Sequence, residues 1–293
     1  MYNMVRVLGI GDNVCDKYIN SGYMYPGGQA LNFAVYAKQL GADAAYMGVF
    51  GTDDVAAHVI ATLDELGIDR SHCRQYEGEN GYAVVNIVDG ERIFIASNKG
   101  GVLKEHPIIL TENDKEYIKT FDLVHTSNNS YFDDQLPVIS QLGILVSYDF
   151  SGQWKEPAKV RAVCKYIDYG FMSCGSLPDK EVRKACIQLY KEGCKIVIAT
   201  CGSKGSVLYD GKDFFVQPPK LVEAVDTLGA GDSFAAAFLV SFVEAQKLEP
   251  LRIKTDEEYY KNVIKKALET AASFAAKTCL VHGAFGMGKK FKV

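Results

Sequence analysis

The chain has 293 residues, of which 48% are hydrophobic and 23% charged, and its formal net charge is −4. This composition is typical of a globular protein with a large core, and it lacks the basic excess that nucleic acid or an anionic membrane would favour. We therefore expect neither partner, and since no long apolar run is present we predict a cytoplasmic protein.

The eight cysteines and five histidines do not form a recognisable site. They are scattered, without a Cys-x-x-Cys pair or a Cys/His cluster at metal-ligand spacing. A chain of this length does not need disulfides to be stable. We expect reduced thiols in the core and no zinc site.

Short apolar runs alternate with amphipathic segments through most of the chain. In chain order they predict strand 5–10, helix 30–40, strand 44–50, helix 54–66, strands 121–126, 143–150 and 166–173, helix 179–192 and strand 195–200. This alternation of strands and helices indicates a mostly parallel sheet between layers of helices. No linker or repeat divides the chain, so we predict one domain over 1–293.

One segment departs from this alternation of strands and helices. "GYAVVNIVDGERIFIASNKG", 81–100, has two β-rich runs around Asp-Gly, which predicts an antiparallel hairpin. With residues near 12–25 it could form a small sheet that closes over a ligand as a lid. A second hairpin is predicted at 206–216, and a helix at about 256–280 is the last clear element.

The stretch "VDTLGAGDSFAAAF", 225–238, places two glycines directly before a predicted helix at 230–245. Free amides and the positive end of the helix dipole make this a place for an anion. Asp232 at the same point would suit a base that takes a proton from a hydroxyl attacking a phosphate. The alternative is structural, since aspartate and glycine are also common at helix starts.

Candidate ligands for hydroxyl groups follow the first strands. In "PGGQALNFAVYAKQLGA", 26–42, paired glycines including Gly28 let a ligand approach the backbone, and Asn32 offers a donor and an acceptor. Asp12 and Asp16 follow the first strand, where ligands bind in open α/β sheets. Asp16 is the preferred ligand, whereas Asp12 is interpreted as a cap. The alternative for 26–42 is a plain loop-to-helix junction.

Three further stretches of the sequence contain glycines that could approach a ligand or form a turn. "ATCGSKGSVLYDG", 199–211, suits backbone contact with a nucleotide through Gly202 and Gly205, or is simply the entry to a hairpin. In "GVFGTDD", 48–54, Asp53 is predicted to cap a helix. "GAFGMGKK", 283–290, is close to a phosphate-binding loop, but it has Lys290 where Ser or Thr is needed, so we reject it.

Taken together, "GGQALN", "GVFGTDD" and "DTLGAGDSFAAAF" resemble the two signatures of the ribokinase or PfkB-type carbohydrate kinases. The resemblance spans essentially the whole chain and implies a ribokinase-like three-layer α/β/α sandwich with a β-sheet lid. Within the family, "IGDNVCDKYI", "PGGQALNFAVYAKQLGA" and "FDLVHTS" are most similar to fructoselysine 6-kinases, which act on sugar amines.

The resemblance implies a role for each matching residue. Asp232 would be the base, and the amides of Gly229, Ala230 and Gly231 would stabilise the transferred phosphoryl group. Asp16, Gly28 and Asn32 would hold the sugar, with Arg92 of the hairpin at 81–100 as a further candidate or simply a solvated charge. Thr200, Gly202 and Gly205 would lie along ATP, which would bring Mg²⁺. The implied K⁺ ligands are Asp226, Thr278, Val281 and Gly283.

One departure concerns magnesium. The family usually has an Asn-x-x-Glu motif, and the matching "SCGS" has Ser173 and Ser176 in those places. The loss would weaken magnesium handling or shift it to another acid. Ribose, fructose or nucleoside kinases remain alternatives, as does a non-catalytic sensor of sugar or nucleotide. A homodimer through the lid is a further expectation.

Overall fold

A nine-stranded sheet runs through the centre of the protein. The structure is a computed structural model, and it describes residues 4–88, 91–175 and 177–291, except the side chains at 87, 88, 91 and 92. The described strands, in chain order, are β1 (Arg6–Gly11), β2 (Val14–Tyr18), β3 (Tyr23–Gly27), β4 (Asp43–Phe50), β5 (Arg74–Gln75), β6 (Gly81–Val88), β7 (Glu91–Ser97), β8 (Leu123–Ser127), β9 (Leu145–Asp149), β10 (Tyr169–Ser173), β11 (Ile196–Thr200), β12 (Ser206–Tyr209), β13 (Phe214–Gln217) and β14 (Lys289–Lys290).

The central sheet has the order β13-β12-β11-β10-β9-β8-β1-β4-β5. All pairs from β11 to β5 are parallel, and β12 and β13 continue the sheet as an antiparallel edge, as the second predicted hairpin required. Because parallel strands are covered on both faces, β8 is buried at every position. The carboxyl ends of β1, β9 and β11 therefore meet at one edge of the sheet, where ligands bind in this architecture.

Helices cover both faces of the central sheet. They are α1 (Gln29–Gln39), α2 (Asp54–Glu65), α3 (Val102–Glu105), α4 (Glu112–Ile118), α5 (Leu136–Ser140), α6 (Pro157–Val163), α7 (Asp179–Lys191), α8 (Ala230–Leu248), α9 (Arg252–Thr255) and α10 (Glu257–Thr278). One core lies between the sheet and α4 to α7, and another lies between the sheet and α1, α8 and α10. These are the three layers predicted from the sequence. No helix in the described ranges is long and apolar enough to cross a membrane.

A second sheet, the lid, has the strand order β14-β3-β2-β6-β7. It contains the predicted segments near 12–25 and 81–100, with β2 parallel to β6 and β6 antiparallel to β7. The Asp-Gly turn of the hairpin, 89–90, lies outside the described residues. The fifth strand, β14, was not predicted: the segment dismissed as a phosphate loop ends by pairing with β3.

Candidate active site

The candidate base, Asp232, lies in the first turn of α8. Gly229 precedes this helix with φ 74°, and a Cβ atom there would lie 2.3 Å from the Tyr36 hydroxyl oxygen, so the turn requires glycine. Asn32 Nδ2 donates a hydrogen bond of 2.6 Å to Asp232 Oδ2. The early and late sequence motifs therefore meet in one place, 200 residues apart in the chain.

A cavity of about 430 Å³ lies between this helix and the lid. Its lining includes the predicted sugar ligands together with the candidate base: Asp16, Gly28, Asn32 and Asp232. We call it the sugar cavity. The side chain of Arg92, the fourth predicted sugar ligand, lies outside the described residues. The structure thus brings the described candidates together in a space of the size that small ligands occupy.

Polar atoms of Asp16 and Asn32 converge beside the backbone of Gly27. A Cβ atom at Gly27 would lie 3.1 Å from Asp16 Oδ2 and 3.8 Å from Asn32 Oδ1. Asn32 is buried, and its Oδ1 has no hydrogen-bond partner among the described residues. An unpaired buried oxygen is costly, so this atom is suited to accept a hydrogen bond from a ligand hydroxyl.

Asp12 also lines the cavity, but its carboxylate has a structural role. It accepts hydrogen bonds from the amides of Gln29 and Ala30 at 2.7 and 3.2 Å, and from the hydroxyls of Ser127 and Ser130 at 2.9 and 3.0 Å. These bonds join the end of β1 to the start of α1 and to the segment after β8. The interpretation of Asp12 as a cap is confirmed, as is that of Asp53, which accepts from the Ala56 amide at 2.9 Å.

A second cavity of about 400 Å³ lies on the other side of the α8 N-terminus. Thr200, Gly202 and Gly205, the predicted ATP contacts, line it. The opposite wall consists of small residues of α10: Ala272, Ala275 and Ala276. We call it the nucleotide cavity, because a largely apolar cavity beside glycine backbone suits a purine base and its phosphates.

The turn before α8 separates the two cavities and borders both. Leu228 and Asp232 line the sugar cavity, whereas Thr227, Ala230 and Gly231 line the nucleotide cavity. Amides in the first turn of a helix have no partner within the helix, and here they lie at its positive end. A hydroxyl in one cavity and a phosphoryl group in the other would therefore meet at this turn.

Two carboxyl groups, the half-buried Asp232 and the buried Asp149, have raised pKa values. Burial raises the pKa of Asp232 to about 6, against the lowering effect of the Asn32 hydrogen bond. Burial, followed by the charge of Asp232, raises the pKa of Asp149 to about 7. Asp149 ends β9 and was not singled out in the sequence. Its position in "SYDF", at the end of an apolar run, was the available signal.

Asp226, the implied K⁺ ligand, is held by hydrogen bonds. Its Oδ2 accepts from the Tyr18 hydroxyl at 2.6 Å and from the Gly283 amide at 3.0 Å, and its Oδ1 accepts from the Leu228 amide at 3.0 Å. Thr278 and Val281 lie together in the turn that follows α10, since the Val281 amide donates a hydrogen bond of 3.3 Å to the Thr278 carbonyl. The four implied ligands are thus neighbours, and Asp226 also connects the lid strand β2 to the turn before α8.

The stretch that replaces Asn-x-x-Glu lies at the end of β10. Ser173 is exposed, and its carbonyl accepts a hydrogen bond of 2.9 Å from the Trp154 indole. Ser176 lies outside the described residues. In the described part of the chain, no group of three or more His, Cys, Asp or Glu side chains could hold a metal ion.

Comparison with known proteins identifies the class. The family model for pfkB family carbohydrate kinases matches residues 6–286, and the chain belongs to this family. It is 39% identical over 290 residues to the fructosamine kinase FrlD of Bacillus subtilis (strain 168), covering 99% of this chain and 96% of the relative. It is 30% identical to the fructoselysine 6-kinase of Escherichia coli (strain K12), covering 96% of this chain and all of the relative.

Solved structures agree on the fold. Ribokinase from Giardia lamblia superposes with a TM-score of 0.80 at 17% identity, over 97% of this chain and 96% of that one. Arabidopsis thaliana ribokinase, in complex with ribose and ATP, gives a TM-score of 0.75 at 22% identity, over 98% and 96%. The protein therefore has the ribokinase-like fold, and its membership of the pfkB family makes it a carbohydrate kinase.

Proposed function

We propose that this kinase phosphorylates the primary hydroxyl of a fructosamine, a fructose whose C1 carries an amine, in the manner of a fructoselysine 6-kinase. The observation that carries the proposal is the place of Asp232, which lines the sugar cavity and directly follows Gly231, a residue that lines the nucleotide cavity. The names of the two most similar curated relatives reported above support the choice of sugar.

In the proposed reaction, Asp232 takes the proton of the sugar hydroxyl while that oxygen attacks the γ-phosphorus of ATP. The bond from the γ-phosphorus to the bridging oxygen breaks, and its electron pair leaves with ADP. Asn32 holds Oδ2 of the base, which leaves Oδ1 for the proton. The amides of Gly229, Ala230 and Gly231 stabilise charge on the transferred group. Asp16, Gly28 and Asn32 hold the sugar, and Thr200, Gly202 and Gly205 border ATP.

We propose that Mg²⁺ enters with ATP and neutralises phosphate charge. Asp149 is our candidate for the acid that replaces the missing glutamate, because burial and then the charge of Asp232 raise its pKa, and a cation would relieve the repulsion between the two carboxylates. K⁺ would bind at Asp226, Thr278, Val281 and Gly283, whose oxygen atoms suit a hard cation. Such a cation would share the Asp226 carboxylate with the Tyr18 hydroxyl.

Assembly and location remain proposals. Ile93, Phe94 and Ile95 are exposed on β7, the edge strand of the lid, and an apolar edge of this kind supports a homodimer through the lid. Sedimentation of the wild type and of Ile95→Glu would test this, with a dimer expected only for the wild type. One domain over 1–293 and a cytoplasmic location stay predictions from the sequence.

A coupled ADP-release assay over a panel of substrates tests the function. The panel contains fructosamines of several amines, fructose, ribose and adenosine. We expect the highest kcat/KM for fructosamines and a phosphate on O6 of the product by NMR. A preference for ribose, free fructose or adenosine would contradict the proposal, and ligand-induced thermal stabilisation without turnover would indicate the sensor.

A further inference from the structure

The charged side chains that line the sugar cavity differ in sign between its two sides. Among the lining residues that the structure describes, Asp12, Asp16 and Asp232 are acidic and Lys99 is the only cation. Asp16 lies on β2, in register with Ala83 of β6 and, through it, with Ser97 of β7. Since adjacent strands are about 4.8 Å apart, Asp16 and Ser97 are separated by roughly 10 Å across the lid. Lys99 follows at the far side.

The turn that carries Lys99 is held in a strained conformation. Lys99 has φ 55° and Tyr131, which also lines the cavity, has φ 50°, and side chains rarely adopt this region. The Tyr131 hydroxyl donates to the Lys99 carbonyl at 2.7 Å, and the Lys99 amide donates to Ser97 Oγ at 2.9 Å. Strain of this kind persists where the surroundings impose it, and it is common at ligand sites.

A network of asparagines anchors the same turn to the body of the protein. Asn98 Nδ2 donates to the Asn80 carbonyl at 2.7 Å, and Asn98 Oδ1 accepts from the Tyr82 amide at 2.9 Å. Asn80 is fully buried and donates to Asn13 Oδ1 at 2.9 Å. The backbone of Lys99 is therefore fixed at the mouth of the cavity, while its side chain stays exposed.

No carboxylate among the described residues lies within ion-pair distance of the Lys99 ammonium group. A neutral hexose needs hydrogen-bond partners but no cation at the mouth of its site. A fructosamine made from an amino acid, in contrast, has a protonated secondary amine beside C1 and a carboxylate further out. The carboxylate of such a substrate would have the opposite charge to Lys99, the cation that lines the cavity.

We propose that Lys99 binds a carboxylate on the amine substituent of the fructosamine. This inference rests on the proposed function and deepens it. Lys99 then determines specificity and takes no part in phosphoryl transfer. A contact between a charged pair of this kind contributes about 1.5 to 3 kcal/mol, so its loss should weaken binding by about 10-fold or more.

The test compares carboxylate substrates with their neutral counterparts. The substrates are fructosyl-glycine and ε-fructosyl-lysine, the carboxamides of both, and fructose. The variants are Lys99→Met, Lys99→Arg and, as a matched control, Lys104→Met, which removes an exposed lysine of α3 outside the cavity lining. Thermal unfolding of each variant shows whether it is folded as the wild type is.

For Lys99→Met we expect KM for the carboxylate substrates to rise about 10-fold or more with kcat nearly unchanged. The carboxamides should be unaffected, and Lys99→Arg should restore most of the loss. An equal loss with carboxylates and carboxamides, or a fall in kcat for every substrate, would overturn the proposal, as would no loss at all. If the wild type prefers fructose to every fructosamine, the proposed function itself fails, which is a separate result.

Discussion

The sugar cavity and the nucleotide cavity differ in how they are built. The sugar cavity is lined by charged and amide side chains that hydrogen bonds hold in place, such as Asp12 under α1 and Asn32 on Asp232. Half of the residues that line the nucleotide cavity are glycines, alanines and prolines. One cavity therefore recognises its ligand through particular side chains, and the other through shape and backbone.

This difference separates the two ways in which a substitution can act. A change in the sugar cavity alters charge, proton transfer or a hydrogen bond, whereas a change in the nucleotide cavity alters mostly the available space. The turn at 227–232 belongs to both, so only there should one residue affect both ligands. Four predictions test this division.

The largest effect is expected for Asp232→Asn. Removing the proton acceptor should lower kcat on the order of 10²-fold or more, because general base catalysis contributes about that much. The amide keeps the size of the side chain, so the affinities for sugar and ATP by calorimetry should change little. Asp54→Asn, at an exposed position of α2, is the control. Near-normal turnover in Asp232→Asn would remove the basis of the proposed mechanism.

The rate should depend on pH in the range where Asp232 titrates. Its pKa is raised to about 6, and the base acts only when it has lost its proton. Below this value kcat/KM should therefore fall about tenfold for each pH unit, and above it the rate should level off. Since the charges of Asp149 and Asp232 interact, the profile reports the pair. A flat profile between pH 4.5 and 7 would contradict the assignment.

A substitution that only reduces the space in the nucleotide cavity should weaken the binding of ATP and leave sugar binding unchanged. Ala276→Leu adds bulk to the α10 wall of the nucleotide cavity, and overpacking of this kind costs about 1 to 3 kcal/mol. We expect KM for ATP to rise about 10-fold while sugar binding is unchanged. Lys277→Leu adds the same side chain at the adjacent exposed position and serves as the control. Equal losses for both ligands would show that the cavities are not independent.

The smallest effect concerns stability. Asp149 is buried and its pKa is about 7, above the ordinary value, so the folded chain binds more protons than the unfolded chain between about pH 4 and 7. This carboxyl therefore lowers the free energy of unfolding as the pH rises through that range. Asp149→Asn should be more stable than the wild type by about 1 kcal/mol or more at pH 8, but not at pH 4. Urea unfolding at both pH values measures this, and a difference independent of pH would refute it.

Much of this division was predictable from the sequence, but not all of it. Periodic apolar runs predicted the strands and long helices, and the resemblance to the carbohydrate kinases implied that Asn32 and Asp232 belong to one site. That Lys99 and Tyr131 line the sugar cavity was not predictable from the sequence, because their position depends on a strained turn held by residues far along the chain. Short elements such as α5 and β14 were missed too, since a few residues carry no measurable period.

The sequence by itself determined the order of the elements, the requirement for glycine before α8 and the family, because these depend on local backbone preferences and on motifs. Only the tertiary structure decided which carboxyl groups share a cavity, which helix Asp12 caps, and that Asp149 is buried close enough to Asp232 for burial and the charge of Asp232 to raise its pKa. The physical reason is that burial and Coulomb interactions depend on distance through space, and residues far apart in the chain come together only when it folds.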